Sequence, residues 1–308
     1  MRFANPETWR RLLEDRQLDS SLAGLWASYA RPNVRLIPTS TFDVDTTPLG
    51  GSKLGGAPDL PEDFDWPTRP AYRYPRKKDD FRPQSAWEER PLHFIAQINL
   101  RDVAAAGSGL SLPSSGLLLF FYDIDVQPWG FDPNDAPGCR ILHVGEGTPI
   151  ERRSNPEASS SKARPIELVP SESLPGWEWI EENVHYDMRT GHEWFRNQLQ
   201  KLTESDFDRI SYGGHVLGGW PGLVQNPMEL ECEMVSNGVY AGNSEAYDDP
   251  RMPEFRERAA DWRLLLQVDS DDELDWMWGD SGKIYFLCRE EDIVTRRFER
   301  AWTILQCT

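Results

Sequence analysis

Leu54-Gly55-Gly56-Ala57-Pro58 returns in the same chain as Leu217-Gly218-Gly219-Trp220-Pro221. Other segments return in the same order. Phe94-Ile95-Ala96-Gln97-Ile98-Asn99 is echoed by Leu264-Leu265-Leu266-Gln267-Val268-Asp269. Ser115-Gly116 before Leu117-Leu118-Leu119-Phe120-Phe121 is echoed by Ser281-Gly282 before Lys283-Ile284-Tyr285-Phe286-Leu287. Ile141-Leu142-His143 is echoed by Ile304-Leu305-Gln306. Shared order and similar spacing suggest two copies of one unit. The apolar runs suit strands covered on both faces. The expected fold is therefore α+β, with two pseudo-repeated, mostly antiparallel β units packed together and flanked by helices.

Working outward, residues 6–30 carry Trp9, Leu12, Leu13, Leu18, Leu22, Leu25 and Trp26 at roughly helical intervals. Asn5 precedes Pro6 in the pattern of an N-cap and a first helical position. Val34 to Ile37 and Thr39 to Thr46 read as short strands, as do 92–100, 116–124 and Ile166 to Val169. Residues 177–210 read as mainly helical, with Thr203 to Asp206 as a turn and cap. Residues 252–262 read as a helix, and Arg263 to Asp269, Lys283 to Cys288 and Ala301 to Gln306 as strands. The expected organisation is helices and lead-in strands over 1–48, a first unit over 49–175, a helical connector over 176–210 and a second unit over 211–308, all in one compact domain.

The chain has 308 residues, enough for a sizeable core. Its 51 acidic against 33 basic residues give a net charge of −18. That balance argues against nucleic acid, whose phosphates need cations, and against an anionic membrane surface. It permits a basic protein partner, steered by charge. Thirteen Trp suit packed interfaces or ligand pockets. The four cysteines form no framework, which fits a reducing compartment. The N-terminal residues hold no apolar signal core. The expectation is cytoplasmic.

Several segments together carry a family likeness. They are Ser52-Lys53-Leu54-Gly55-Gly56 with Pro58 and Trp66-Pro67, then Phe94 to Ile98, then His215 with Leu217-Gly218 and Gln225. The last is Leu266 to Asp269 followed by Met277-Trp278-Gly279-Asp280-Ser281-Gly282-Lys283-Ile284-Tyr285-Phe286. From about residue 35 to residue 307 the chain resembles the YwqG-like family of bacterial proteins, a domain of unknown function. The resemblance implies a cytosolic α+β fold. It implies no settled activity, so no catalytic residue is carried over. The Arg-rich loop 67–90 and the stretch 177–210 depart from the family pattern.

The chemistry-bearing candidates are few. Gly55-Gly56 and Gly218-Gly219 lack the Lys-Ser/Thr and helix that a phosphate loop requires, and read as tight turns. Asp269, Asp271, Asp272, Glu273, Asp275 and Asp280 form an acidic run without the glycine of a calcium-binding loop. It reads as a solvated turn, and cation binding stays open. Asp280, between Gly279 and Ser281-Gly282, reads first as a turn-fixing acceptor. Trp278 beside it lines a pocket or closes the core. No histidine stands at metal-ligand spacing, and no metal or cofactor is expected. His215 occupies the position of Ser52 in the other copy, which makes it the strongest candidate for chemistry. The tentative ligand- or partner-binding set is His215, Gln225, Trp278, Asp280, Asp271 and Asp272. Two readings follow. One is a binding protein, immunity-like or partner-masking. The other is an enzyme of unknown class, with His215 and a nearby carboxylate in a cleft between the copies.

Overall fold

A computed structural model describes residues 6–39, 45–75, 82–158, 162–183 and 191–308. Two helices open the chain, α1 (Pro6–Asp15) and α2 (Ser20–Ser28). The expected cap Asn5 lies outside the described residues. Asp19 caps α2, accepting from the Ser21 and Leu22 N–H groups, which are donors that the helix leaves unpaired. Leu13, Leu22 and Trp26 are buried with Leu174, Ile180 and Ile210. Burial of each such side chain contributes about 1.5–3 kcal/mol.

Ten strands form one sheet among the described residues. They are β1 (Arg31–Pro38), β2 (Lys53–Leu54), β6 (His93–Asn99), β7 (Leu117–Tyr122), β8 (Cys139–Val144) and β10 (Arg164–Ser173), followed by β11 (Val216–Gly218), β12 (Trp262–Asp269), β13 (Lys283–Arg289) and β14 (Trp302–Gln306). Short ribbons pair β3 (Asp59–Pro61) with β9 (Ile150–Arg152), and β4 (Thr68–Arg69) with β5 (Arg90–Pro91). The order is β14-β13-β12-β11-β1-β10-β2-β6-β7-β8, and every adjacent pair is antiparallel. The helices between strands are α3 (Leu100–Ala105), α4 (Trp177–Asn183), α5 (Gly191–Leu199), α6 (Glu204–Ile210), α7 (Glu229–Ser236), α8 (Met252–Ala259) and α9 (Glu290–Val294).

β1 pairs with β10 in register from Arg31↔Ser173 to Pro38↔Ile166, and with β11 on its other side from Asn33↔Gly218 to Arg35↔Val216. The sheet then curls back on itself. Phe120 on β7 and Phe286 on β13 lie near opposite ends of the strand order, yet their ring centroids are 5.3 Å apart and edge to face. Both belong to the core cluster that also holds Val34, Leu118, Leu266 and Trp278. The alternate residues Leu117, Leu119 and Phe121 pack on the other side with Leu60 and Phe94. Burial on both faces explains the unbroken apolar run of β7.

Two register irregularities match. β6 slips against β7 between Phe94 and Ala96, and β12 slips against β13 between Leu264 and Leu266. Lys53 and Leu54 face Gln97 and Ala96, while Val216 and Leu217 face Gln267 and Leu266.

Other expectations need correction. The strand expected over Thr39 to Thr46 is absent from its described residues, because β1 ends at Pro38 and the Thr39 N–H turns to the Pro165 carbonyl. Residues 40–44 lie outside the described set. Within 177–210 the described residues form α4, α5 and α6, residues 184–190 lie outside the described set, and Thr203 forms a capping box with Asp206. Helix α7, which sequence reading missed, buries Cys232, Met234 and Val235. Among the described residues no helix is long and apolar enough to cross a membrane.

Candidate functional site

The two Gly-Gly turns are each held by a buried glutamine. Gln97 Oε1 accepts the Asp59 N–H at 2.9 Å, and its Nε2 donates to the Gly51 carbonyl at 2.9 Å. Gln267 Oε1 accepts the Gly222 N–H at 2.7 Å, and its Nε2 donates to the Gly214 carbonyl at 2.7 Å. Both side chains are wholly buried. Each thereby pairs backbone groups that the loop leaves unmatched. Gly55, Gly56, Gly218 and Gly219 all have positive φ. A Cβ at Gly219 would come within 2.7 Å of Asn33 Cβ and Ser173 Oγ, so the turn requires glycine.

His215 makes the contact that Ser52 makes in the other turn. Ser52 Oγ accepts the Asn99 N–H at 2.8 Å, and His215 Nδ1 accepts the Asp269 N–H at 3.1 Å. The other ring nitrogen, Nε2, faces Asp271 Oδ2 at 3.3 Å. With Nδ1 accepting, the proton is assigned to Nε2, which donates to the carboxylate. Arg164 Nη1 reaches the same carboxylate oxygen at 2.5 Å. Burial disfavours the Asp271 charge, but the His215 hydrogen bond and the Arg164 cation outweigh it and bring the carboxyl down to about 2. Burial pushes the neighbouring Asp269 carboxyl up, against the pull of Lys283 and His215. His215 is 6% exposed and is engaged at both nitrogens, so its geometry is that of a strut.

The remaining sequence candidates are placed separately. Trp278 is buried, and its Nε1 donates to the Asp269 carbonyl at 3.0 Å. Gln225 Nε2 donates to the Cys307 carbonyl at 2.7 Å. Asp272 and Asp280 are exposed. The turn-fixing role expected of the Asp280 carboxylate falls to other atoms. Ser270 Oγ accepts the Trp278 N–H at 3.1 Å and donates to the Gly282 carbonyl at 2.9 Å. Asp280 contributes its backbone carbonyl, which accepts from Thr308 Oγ1 at 2.9 Å. Of the five histidines, His185 lies outside the described residues.

An aromatic concave site lies elsewhere, beside the second Gly-Gly turn. Trp220 stands where the first turn has Ala57. Its backbone N–H donates to Ser173 Oγ at 2.8 Å and its indole N–H to the Tyr29 carbonyl at 2.7 Å. Trp179 on α4 packs against it with ring centroids 4.7 Å apart, and Tyr29 packs against Trp179 at 5.1 Å. Trp262, at the start of β12, donates from Nε1 to the buried Glu233 carboxylate at 2.9 Å. These rings line a cavity of about 760 Å³ with Arg31, Glu231 and Tyr247, within the usual range for small-molecule sites. None of the six residues expected from sequence lines it.

Two charged groups in this cavity, Arg31 and Glu231, have no ion-pair partner among the described residues. The Arg31 guanidinium carbon lies 3.4 Å from the Trp220 ring centroid. Among the described residues the guanidinium has no hydrogen-bond or ion-pair partner. Burial, with the nearby Arg263 cation, brings it down to about 10, although Glu229 and Glu290 oppose this. On the other wall, Glu231 Oε1 accepts the Tyr247 hydroxyl at 2.8 Å. Its Oε2 is buried and has no partner among the described residues. Burial pushes the Glu231 carboxyl up, more than the Tyr247 hydroxyl, its own backbone N–H and the Arg256 cation on the same wall bring it down.

Among the described residues, the first turn carries ion pairs at the corresponding place. Lys53, wholly buried, pairs with Asp45 at 2.5 Å, and Arg152 pairs with Asp59 at 2.8 Å. Their counterparts near the second turn are Val216 for Lys53 and Gly222 for Asp59. The first turn is closed by ion pairs and the second is left open as an aromatic cavity. Among the described residues no group of three or more His, Cys, Asp or Glu side chains is placed to hold a metal ion.

A family model described as "Domain of unknown function (DUF1963)" matches residues 52–307. No curated protein matches the chain.

Proposed function

The chain belongs to the DUF1963 family, a domain of unknown function, and from that premise we propose that it is a binding protein whose ligand occupies the cavity at Trp220. The observation that carries this reading is Arg31. Arg31 is a half-buried cation without a hydrogen-bond or ion-pair partner among the described residues, which costs free energy, and a planar guanidinium held on an indole face is preorganised for a carboxylate. Trp179, Trp220 and Trp262 supply apolar walls for the rest of the ligand. Glu229 and Glu231 share the cavity, so a singly charged anion fits better than a phosphate dianion.

The test is calorimetric titration of phenylacetate, a carboxylate on an apolar ring, into the protein and into Arg31→Met, which keeps length without charge. Saturable binding that weakens roughly tenfold or more in the variant supports the proposal. Absent binding, or binding indifferent to Arg31→Met, contradicts it.

The proposal includes descent from one duplicated unit. It is supported by the matched slips at Phe94/Ala96 and Leu264/Leu266, by the paired clamps of Gln97 and Gln267, and by Ser52 and His215 accepting equivalent N–H groups. After duplication one turn kept Ala57 and a closed ion network, and the other took Trp220 and the ligand. The YwqG-like likeness is a finer part of the same proposal.

A second reading is a basic protein partner on the acidic turn, favoured by the exposure of Asp272, Asp275 and Asp280. Asp271 is engaged by Arg164 and belongs to the frame of such a surface. An enzyme working through His215 would first have to release a ring nitrogen from Asp269 or Asp271, and the cavity at Trp220 needs no such step.

A further inference from the structure

Resting on the ligand site above, we propose that the ligand is a zwitterion: its carboxylate meets Arg31, its ammonium meets Glu231, and its apolar body lies among Trp179, Trp220 and Trp262. The matching chemical class is an apolar or aromatic amino acid with both charged groups free.

Two groups of opposite charge line one cavity. Arg31 presents a cation with no hydrogen-bond or ion-pair partner among the described residues, and Glu231 presents one buried carboxylate oxygen in the same condition. A carboxylate ligand alone would satisfy Arg31 and leave Glu231 Oε2 unpaired. An amine alone would do the reverse. The first leaves a buried oxygen unpaired and the second leaves a half-buried cation unpaired, each at a cost. A ligand bearing both groups satisfies both walls.

The setting of Glu231 agrees. It lies in the first turn of α7, where the helix dipole favours an anion, and Tyr247 holds its other oxygen in place. An ammonium at Oε2 restores the charge that burial disfavours. The walls agree as well. Three indoles give apolar area and an electron-rich face for a cation, while the Trp220 and Trp262 indole N–H groups already donate to the Tyr29 carbonyl and the Glu233 carboxylate. Arg31 already covers one face of Trp220, so the cavity has a fixed positive end. A site built around two polar partners rejects analogues that lack one of them.

The test is calorimetric titration of the full chain with the apolar and aromatic amino acids, and with phenylalanine in its free, N-acetyl and methyl-ester forms. The free amino acid should bind roughly tenfold or more tightly than either blocked form. Glu231→Gln should erase the preference for the free amine over the N-acetyl form while leaving the preference for carboxylate over ester. If that variant does not fold, Tyr247→Phe, which removes the bond holding Glu231, should narrow the same preference. If N-acetylphenylalanine binds as tightly as phenylalanine, the zwitterion is overturned while the carboxylate site at Arg31 stands. If no carboxylate-bearing probe binds, both fall. A preference for the free amine that survives Glu231→Gln intact overturns the assignment to Glu231.

Discussion

The guanidinium of Arg31 lies 3.4 Å above the ring of Trp220, and this pair joins the start of β1 to the second Gly-Gly turn. The contact depends on the whole middle of the sheet. β1 pairs with β11 at Asn33↔Gly218, and Gly219 allows the chain to turn close against Asn33 and Ser173. Trp220 is then pinned at both its nitrogens, to Ser173 and Tyr29. The cavity is therefore lined by groups held from several directions.

Gln97→Leu and Gln267→Leu should each lower stability by about 1–3 kcal/mol, the cost of leaving buried backbone partners unpaired. Both glutamines are wholly buried and clamp their turns by equivalent bonds. Denaturant unfolding checks this. Comparable losses are expected for the two variants, and an unchanged midpoint for either would show that its turn does not need the clamp.

Asp271→Asn should destabilise the protein near neutral pH, and the gap to the parent should close in acid. The folded carboxyl is held at about 2 by His215 and Arg164 against burial, below its ordinary value of 3.8. A depressed folded pKa contributes stability above the unfolded pKa and loses it as pH falls through the folded one. The window therefore runs from about pH 4 down to about pH 2. Thermal unfolding of both proteins across that window is the measurement, and a pH-independent gap is the contrary result.

Ser270→Ala should cost more than Asp280→Ala. The Ser270 hydroxyl bonds both the Trp278 N–H and the Gly282 carbonyl, whereas the Asp280 carboxylate is exposed. The serine variant should lose about 1 kcal/mol or more and the aspartate variant should stay within about 0.5 kcal/mol. The opposite ranking in a melting experiment would return the turn-fixing role to Asp280.

The strands were legible because their signals are local. The runs Leu117 to Phe121 and Ile284 to Leu287 are apolar without alternation, and they are buried on both faces. Gln97 and Gln267 stand at like places in the repeated order of the sequence, and each clamps its own turn. The pairing of β1 with β10 could not be read from the sequence, because it rests on partners such as Arg31 and Ser173 that no local pattern connects. Asp280 was misplaced for a related reason. Its glycine neighbours announce a turn, but the side chain that fixes the turn is Ser270, ten positions earlier in the sequence. The acidic run was read as one solvated turn, yet Asp271 is drawn inward by Arg164 from β10. The cavity was the least legible part. The Trp220 to Tyr29 hydrogen bond spans 191 positions, and an unpaired Arg31 looks like any other arginine until its neighbours are known. The high tryptophan content was the available signal, and it pointed to pockets without saying which indoles converge.

Trp220→Ala, which places in the second turn the residue found at position 57 in the first, should abolish saturable phenylacetate binding. The turn itself should survive, since Gly218, Gly219 and the Gln267 clamp are untouched. Circular dichroism and titration on the same sample separate these effects. Full binding by a folded variant would move the site away from Trp220.

The most direct test of the central claim follows the indole N–H resonances during titration with phenylacetate, assigned by single Trp→Phe substitutions. The signals of Trp179 and Trp220 should shift together and saturate. Those of Trp66, bonded to the Leu92 carbonyl, and Trp278, bonded to the Asp269 carbonyl, should stay in place. Stationary Trp179 and Trp220 signals at saturating phenylacetate, or equal movement of all four, would contradict a ligand site at Trp220.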